Sequence, residues 1–383
     1  MILDLNGLTP QAFLDEYWQK KPFVIRQGFK DFQDILSPEE LAGLACEERV
    51  ESRRVFKENN QWQAEFGPFE SYDHLGSEGW TFIVQALNNW VPEGNDLIKC
   101  FDFIPRWRLD DLMVSYGTPG GGVGPHIDLY DVFICQGSGS RRWRVGSLGP
   151  HKEFAAHPAL LHTEAFDPII DVELKTGDIL YIPPGFPHDG VSLENSMSFS
   201  VGFRTDSAQN MHSALADHMI DHGLAQQQIS DPVRKVATQS GLIIDEDLEK
   251  IKQHLFDALD DNLIASFAGE FLTRSKCPLD IDEDGLSGDE EFTSAEIVEL
   301  LDQQPLVKLG GVRCLYFESY NETGDFYVNG EKITLPKKLR PLIPAFCNEY
   351  EISIQQLSDF IEHNELLYLL TRWVNNGYWY FEE

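Results

Sequence analysis

His126, Asp128 and His188 are the residues whose types and spacing suit chemistry. His126 and Asp128 sit two apart in the strand-like stretch PGGGVGPHIDLYDVFI, so period-two alternation puts both side chains on one face. His188 follows 62 residues later, directly after the turn Pro183-Pro184-Gly185-Phe186-Pro187. Two imidazoles and one carboxylate on a barrel interior form a facial triad that holds Fe(II) and leaves coordination positions open. An oxygenase needs those positions for a bidentate cosubstrate and for O2. An isolated HxD is a weak signal, because such pairs arise by chance on surfaces and in cores. Three features strengthen it. The glycine-rich run from Gly120 to Gly124 lets the backbone turn closely before His126. The proline-rich turn holds His188 rigidly. Arg141, fifteen residues after His126, lies on the next strand of a hairpin and can aim a permanent cation into the barrel. That cation suits the distal carboxylate of a dicarboxylic cosubstrate.

Short strands separated by Gly/Pro turns must position these residues. The segment from Trp107 to Phe203 predicts strands at Asp111–Tyr116, Tyr130–Gln136, Arg141–Val145, Ile169–Leu174, Ile179–Ile182, Gly190–Leu193 and Met197–Phe203. No βα alternation interrupts them, so a double-sheet jelly roll is expected rather than a doubly wound sheet. Ahead of them, Thr9-Pro10 and Ser37-Pro38-Glu39-Glu40 are helix starts, and Arg53 to Phe66 reads as a hairpin turning at Asn59-Asn60. After Arg204 the pattern becomes helical, over Ala208–His222, Asp231–Gln239 and Glu246–Thr273. An acidic stretch from Asp280 to Glu291 precedes a last module of helices, a strand pair (Val312–Phe317, Asp325–Val328) and an aromatic C-terminal strand, similar to a winged helix.

Composition narrows the function classes. The 383 residues carry 30 Lys+Arg against 63 Asp+Glu, a net charge of −33. Residues 1–206 hold 17 basic and 31 acidic residues, and residues 207–383 hold 13 and 32. Both parts are acidic, which argues against phosphate-neutralising nucleic-acid binding, by the winged-helix-like module included, and against docking on anionic membranes. The six cysteines contain no CxxC pair, so neither a disulfide framework nor a structural zinc site is expected. With no signal-peptide pattern at the N-terminus and no long apolar run, the expected location is the cytoplasm.

The HxD, the Arg fifteen residues on before a Trp, and PPGFPH together resemble the JmjC-type 2-oxoglutarate oxygenases. The wider chain, from WQKKPFVIRQGF and GPFESYDHLG to VNNGYWYFEE, is similar to the bacterial ribosomal oxygenases, arginine hydroxylases of a large-subunit ribosomal protein. The resemblance implies an α+β chain in four segments. A JmjC jelly-roll (cupin, double-stranded β-helix) catalytic domain with N-terminal helices would span 1–206. A helical dimerisation segment would span 207–276, an acidic linker 277–292, and a winged-helix-like domain 293–383. It also implies Fe(II) on His126, Asp128 and His188, with 2-oxoglutarate and O2 as cosubstrates and succinate and CO2 as co-products. Arg141 would bind the distal carboxylate of 2-oxoglutarate. The implied partners are a basic ribosomal protein and a second copy of the chain.

Strand parity extends the site. If His126 and Asp128 face inward, so does Tyr130, and the face bearing Asp111, Met113 and Ser115 belongs to a neighbouring strand. An arginine substrate needs a carboxylate and an aromatic near its guanidinium. Asp111 and Tyr130 fit those roles, Met113 would line the channel, and Ser115 would add a hydrogen bond to 2-oxoglutarate. Asp111 capping a turn and Tyr130 packing in the core are the plainer readings. Other reactions of the same type, histidyl hydroxylation or lysine demethylation, stay open, as does a non-catalytic cupin-like scaffold. Asp280 to Glu291 matches the spacing of a calcium loop, but Pro278 and Ser287 stand where such a loop has a helix and an apolar residue. His218 and His222 lack the intervening Glu of a zinc-protease helix and are expected on the surface of the dimerisation helix.

Overall fold

Alternation of residue type along each strand decides which core its two faces meet. In the computed structural model, which describes residues 1–72, 75–279, 281 and 291–382, eight antiparallel strands form the larger sheet. Their order is Phe23–Ile25, Ile179–Ile182, Asp131–Gln136, Ser196–Phe203, Leu109–Gly117, Trp80–Val84, Ser52–Glu58 and Gln61–Phe66. A second sheet runs Pro168–Lys175, Ser140–Gly146, Pro187–Ser192, His126–Ile127. The chain winds between the two sheets as a jelly roll does. Val132, Ile134, Leu180 and Ile182 meet Trp143, Val145, Leu174 and Phe186 in the space between the sheets. The alternate residues Phe133, Cys135, Ile179 and Tyr181 point the other way, into a core shared with Phe13, Phe29 and Phe101. On Ser140–Gly146 the outward Arg142 pairs with Asp171 through two bonds of 2.7 and 2.6 Å, and Arg144 pairs with Asp189.

Local signals explain the flanking elements. Thr9 caps Pro10–Glu16 by accepting from the Ala12 N–H, and Ser37 with Glu40 closes a capping box on Pro38–Leu44. The hairpin between Ser52–Glu58 and Gln61–Phe66 turns on Asn59 and Asn60, both at positive φ, as a tight two-residue turn requires. Among the described residues no helix is long and apolar enough to cross a membrane.

Two compact units result. The first comprises Met1–Thr205, Ser275–Val312 and Tyr350–Glu383. It holds the jelly roll together with the helices Ser294–Leu301 and Asn364–Asn375 and a small sheet of Glu351–Ile352, Leu306–Lys308 and Trp379–Tyr380. The second comprises Asp206–Arg274 and Arg313–Glu349. Its helices Ala208–Asp221, Asp245–Asp257 and Asp261–Thr273 accompany a three-stranded meander of Cys314–Tyr316, Asp325–Val328 and Glu331–Thr334.

Three expectations for the second unit are corrected. His218, expected on the helix surface with His222, is buried against Phe267. Asp231–Gln239 is not helical. Nine residues cannot sustain an isolated helix, and this stretch is exposed throughout, with no surface to bury an apolar face. The helix expected over Glu246–Thr273 is two helices, because Asp260 caps a new start by accepting from the Leu263 N–H. The calcium-like segment falls, apart from Ile281 and Glu291, outside the described residues.

Candidate functional site

The jelly roll encloses a cavity of about 190 Å³ between its sheets. Even-numbered residues keep one parity through His126, Asp128, Tyr130, Val132 and Ile134, and all five line it. His188 enters from Pro187–Ser192, the strand paired with both His126–Ile127 and Ser140–Gly146. The three polar side chains converge. Asp128 Oδ2 lies 3.7 Å from His126 Nε2 and 3.5 Å from His188 Nε2, and one donor atom from each residue falls within 4.8 Å of the others.

Both rings are oriented by the same local device. His126 Nδ1 lies 2.9 Å from the Gly124 carbonyl, and His188 Nδ1 lies 3.0 Å from the Phe186 carbonyl. A carbonyl only accepts, so each Nδ1 carries a proton and each Nε2 is directed at Asp128. Gly124 has φ +83°, and a Cβ there would come within 2.4 Å of the His162 ring, which is why glycine stands two residues before His126. Burial and then the neighbouring His188 push the His126 pKa down to about 4. Burial opposes ionisation of Asp128, yet the His188 hydrogen bond and the charges of both histidines outweigh it and hold its pKa at about 2. Burial opposes protonation of His188, but its hydrogen bond to Asp128 and that carboxylate's charge raise its pKa, and a d-block cation would displace that proton to bind both Nε2 atoms and the carboxylate.

Arg141 is 5% exposed and enters the cavity from the strand Ser140–Gly146. Its Nε donates to Ser196 Oγ (3.0 Å), Nη1 to Ser115 Oγ (2.7 Å), and Nη2 to the carbonyls of Ser115 and Ser196 (2.9 Å each). Four of its five N–H groups are thereby engaged, and one Nη1 hydrogen remains. No carboxylate of the described residues pairs with it, and burial alone lowers its pKa to about 10. A buried cation without a counter-ion is costly, so this one is poised for an anionic ligand.

The remaining expected residues divide. Met113 and Ser115 line the cavity. Tyr130 lines it too, and its nearby hydroxyl helps to hold the Asp128 pKa down. Burial first, then the charge of Asp128, raises the Tyr130 pKa. Asp111 shares the strand face of Met113 and Ser115 but does not line the cavity, and its Oδ2 accepts from the Ala86 N–H at 3.1 Å. Burial and then the adjacent Asp110 push its pKa up to about 6.

Sequence reasoning passed over Arg53, Gln85, Trp143, His162, Ser198 and Ser200, all of which line the cavity. Ser198 and Ser200 were accessible to it. In SMSFSVGF the serines alternate with Met197, Phe199 and Val201, and those three join the apolar core on the opposite face. Arg53 was not accessible, because it reaches the cavity from a distant hairpin.

A jelly roll with two histidines and one aspartate converging at its cavity, beside a buried unpaired arginine, has the architecture of the JmjC class of metal-dependent oxygenases. Residues 96–211 match the JmjC domain, and residues 251–380 match the ROXA-like winged helix. Ribosomal protein uL16 3-hydroxylase of Escherichia coli is 42% identical over 372 residues, covering 97% of each chain. The X-ray structure of E. coli YcfD superposes with a TM-score of 0.93 at 41% identity over the full length of both chains. The structure of that ribosomal oxygenase in complex with cobalt and 2-oxoglutarate gives a TM-score of 0.90 at 41% identity, over 100% of this chain and 99% of the other. The chain belongs to the JmjC-type ribosomal oxygenase family, with a JmjC jelly roll, a helical segment and a C-terminal winged helix.

Proposed function

We propose that this chain is an Fe(II)- and 2-oxoglutarate-dependent oxygenase that hydroxylates an arginine side chain of a basic large-subunit ribosomal protein, with succinate and CO2 as co-products. One observation carries the reading: a His-Asp-His donor set and a buried, uncompensated Arg141 share one cavity. The donor set fits iron, since two imidazole nitrogens and one carboxylate oxygen leave positions open for a chelating cosubstrate. The relative bound to cobalt and 2-oxoglutarate supports the same pairing. Bound iron would supply the oxidising chemistry needed to place oxygen on an unactivated carbon.

The residues of the chain do the rest. His126, Asp128 and His188 hold the metal, with their tautomers set by Gly124 and Phe186. The free Nη1 hydrogen of Arg141 and the hydroxyl of Ser115 together grip the distal carboxylate of 2-oxoglutarate. That is a two-point contact shared between two residues, because Arg141 alone has a single N–H to spare. Trp143, Val132 and Ile134 keep water from the cosubstrate. Met113 and the Tyr130 ring flank the substrate side chain within the cavity, and its guanidinium reaches beyond the cavity lining to Asp111. Such a substrate places the activity in the cytoplasm.

The acidic chain, with net charge −33, favours encounter with a basic protein. Exposed apolar residues between Ile220 and Phe256, among them Val233 at 92% and Val236 at 95%, support dimerisation through the helical segment. The reading is tested by measuring succinate release with and without a peptide of the ribosomal protein. Peptide-dependent turnover supports it, and turnover indifferent to the peptide refutes the substrate assignment.

A further inference from the structure

A second set of metal-binding side chains lies outside the jelly roll, in the helical unit. His218 sits in the last turn of Ala208–Asp221 and His222 caps that helix, so their i,i+4 spacing stacks the imidazoles on one face, with ring centroids 4.3 Å apart. Glu270 meets them from the last turn of Asp261–Thr273. Its Oε2 lies 3.2 Å from His218 Nδ1 and 3.7 Å from His222 Nε2, and the three donor atoms all fall within 4.8 Å of one another.

Each donor is set by a further contact. His222 Nδ1 lies 3.0 Å from the His218 carbonyl, which only accepts, so Nδ1 carries the proton and Nε2 presents a lone pair to Glu270. Glu270 Oε1 accepts from Ser266 Oγ at 3.5 Å, which leaves Oε2 for the histidines. His218 is 8% exposed, its ring packs against Phe267, and its Nε2 is buried with no hydrogen-bond partner. The arrangement is incomplete by itself: a lone pair on His222 faces a carboxylate oxygen, and a metal ion or a proton between them makes that contact favourable. A tetrahedral zinc site with bonds of about 2.0–2.2 Å separates neighbouring donors by about 3.3 Å. The separations of 3.2 and 3.7 Å bracket that value.

We infer that His218, His222 and Glu270 form a second metal site that takes one divalent d-block cation, zinc foremost, through His218 Nδ1, His222 Nε2 and Glu270 Oε2. Water completes the coordination beside His222, whose side chain is 47% exposed. The ion joins the helix Ala208–Asp221 to the helix Asp261–Thr273. Nothing in this site depends on the oxygenase reading, since the two clusters share no residue.

The test uses the untagged full-length chain carrying His126→Ala and His188→Ala, which removes the cavity triad. After treatment with a chelator it is titrated with zinc in a competition assay, and its thermal unfolding is followed. One equivalent of zinc should bind and raise Tm. Adding His222→Ala, an exposed change that leaves the core untouched, should weaken binding by more than about 100-fold, beyond the 10- to 100-fold loss typical of a supporting contact. Glu270→Gln keeps the size of the side chain and should weaken binding as well. Absence of zinc binding, or binding that survives both changes, overturns the site. So does a chain stabilised by acidification and not by zinc, because a proton then serves where the cation was inferred.

Discussion

Arg141→Lys separates a cosubstrate clamp from a merely structural arginine. The guanidinium spends four N–H groups on Ser115 and Ser196 and keeps one for a ligand, so its position and its remaining donor are set together. Lysine preserves the charge but has only three donors on a flexible stem and cannot hold both serine strands while reaching a carboxylate. The expected loss is one charge-assisted hydrogen bond, about 1.5–3 kcal/mol, equivalent to roughly a 10- to 150-fold rise in KM for 2-oxoglutarate. The dependence of kcat/KM on the peptide substrate should change far less, because Arg141 lies on the cosubstrate side of the triad. Succinate release at varied 2-oxoglutarate gives the KM, and a parallel melt verifies folding. A folded variant whose KM stays within about threefold of the parent refutes the clamp, since that change is below 1 kcal/mol.

Three further outcomes are expected. Burial raises the Asp111 pKa from 3.8 to about 6, so the folded state favours the protonated acid and loses that contribution as pH rises through about 6. Asp111→Asn should therefore stabilise the chain by about 1–2 kcal/mol, after allowance for partial exposure, at about pH 8 and by less at about pH 5, while lowering peptide turnover. Denaturant midpoints at the two pH values check the first effect and peptide-dependent succinate release the second. Gly124→Ala drives a Cβ into the His162 ring and moves the carbonyl that orients His126, so cobalt or iron affinity should fall by about 10- to 100-fold in a direct titration. Added salt should lower kcat/KM for a basic ribosomal-protein substrate more than for a neutral peptide of the same length, as stopped-time assays across ionic strength would reveal.

Much of the catalytic jelly roll was legible because its strands alternate. Residues 126 to 134 keep a single parity across a turn, so His126 and Asp128 bring Tyr130 with them into the cavity. The helix starts at Thr9 and Ser37 and the Asn59-Asn60 turn were equally local, each settled within a few residues. What escaped was set by packing at long range. The side chain of Arg53 arrives from a hairpin far from the HxD stretch. Asp111 keeps the predicted face, but the Ala86 N–H engages its carboxylate just outside the cavity lining. The same limit hid Glu270, because nothing near His218 and His222 in the sequence announces a partner from another helix. Asp231–Gln239 erred in the opposite direction: its pattern permits a helix, but no surface is there to reward one.

The most direct test of the central claim is tandem mass spectrometry of the ribosomal protein after incubation with this chain, Fe(II), 2-oxoglutarate and O2. The expected result is a mass gain of one oxygen atom on a single arginine side chain, formed in step with succinate and absent with Asp128→Ala. An oxygen on a histidine, the loss of methyl groups from a lysine, or an unmodified protein beside an active triad would contradict it.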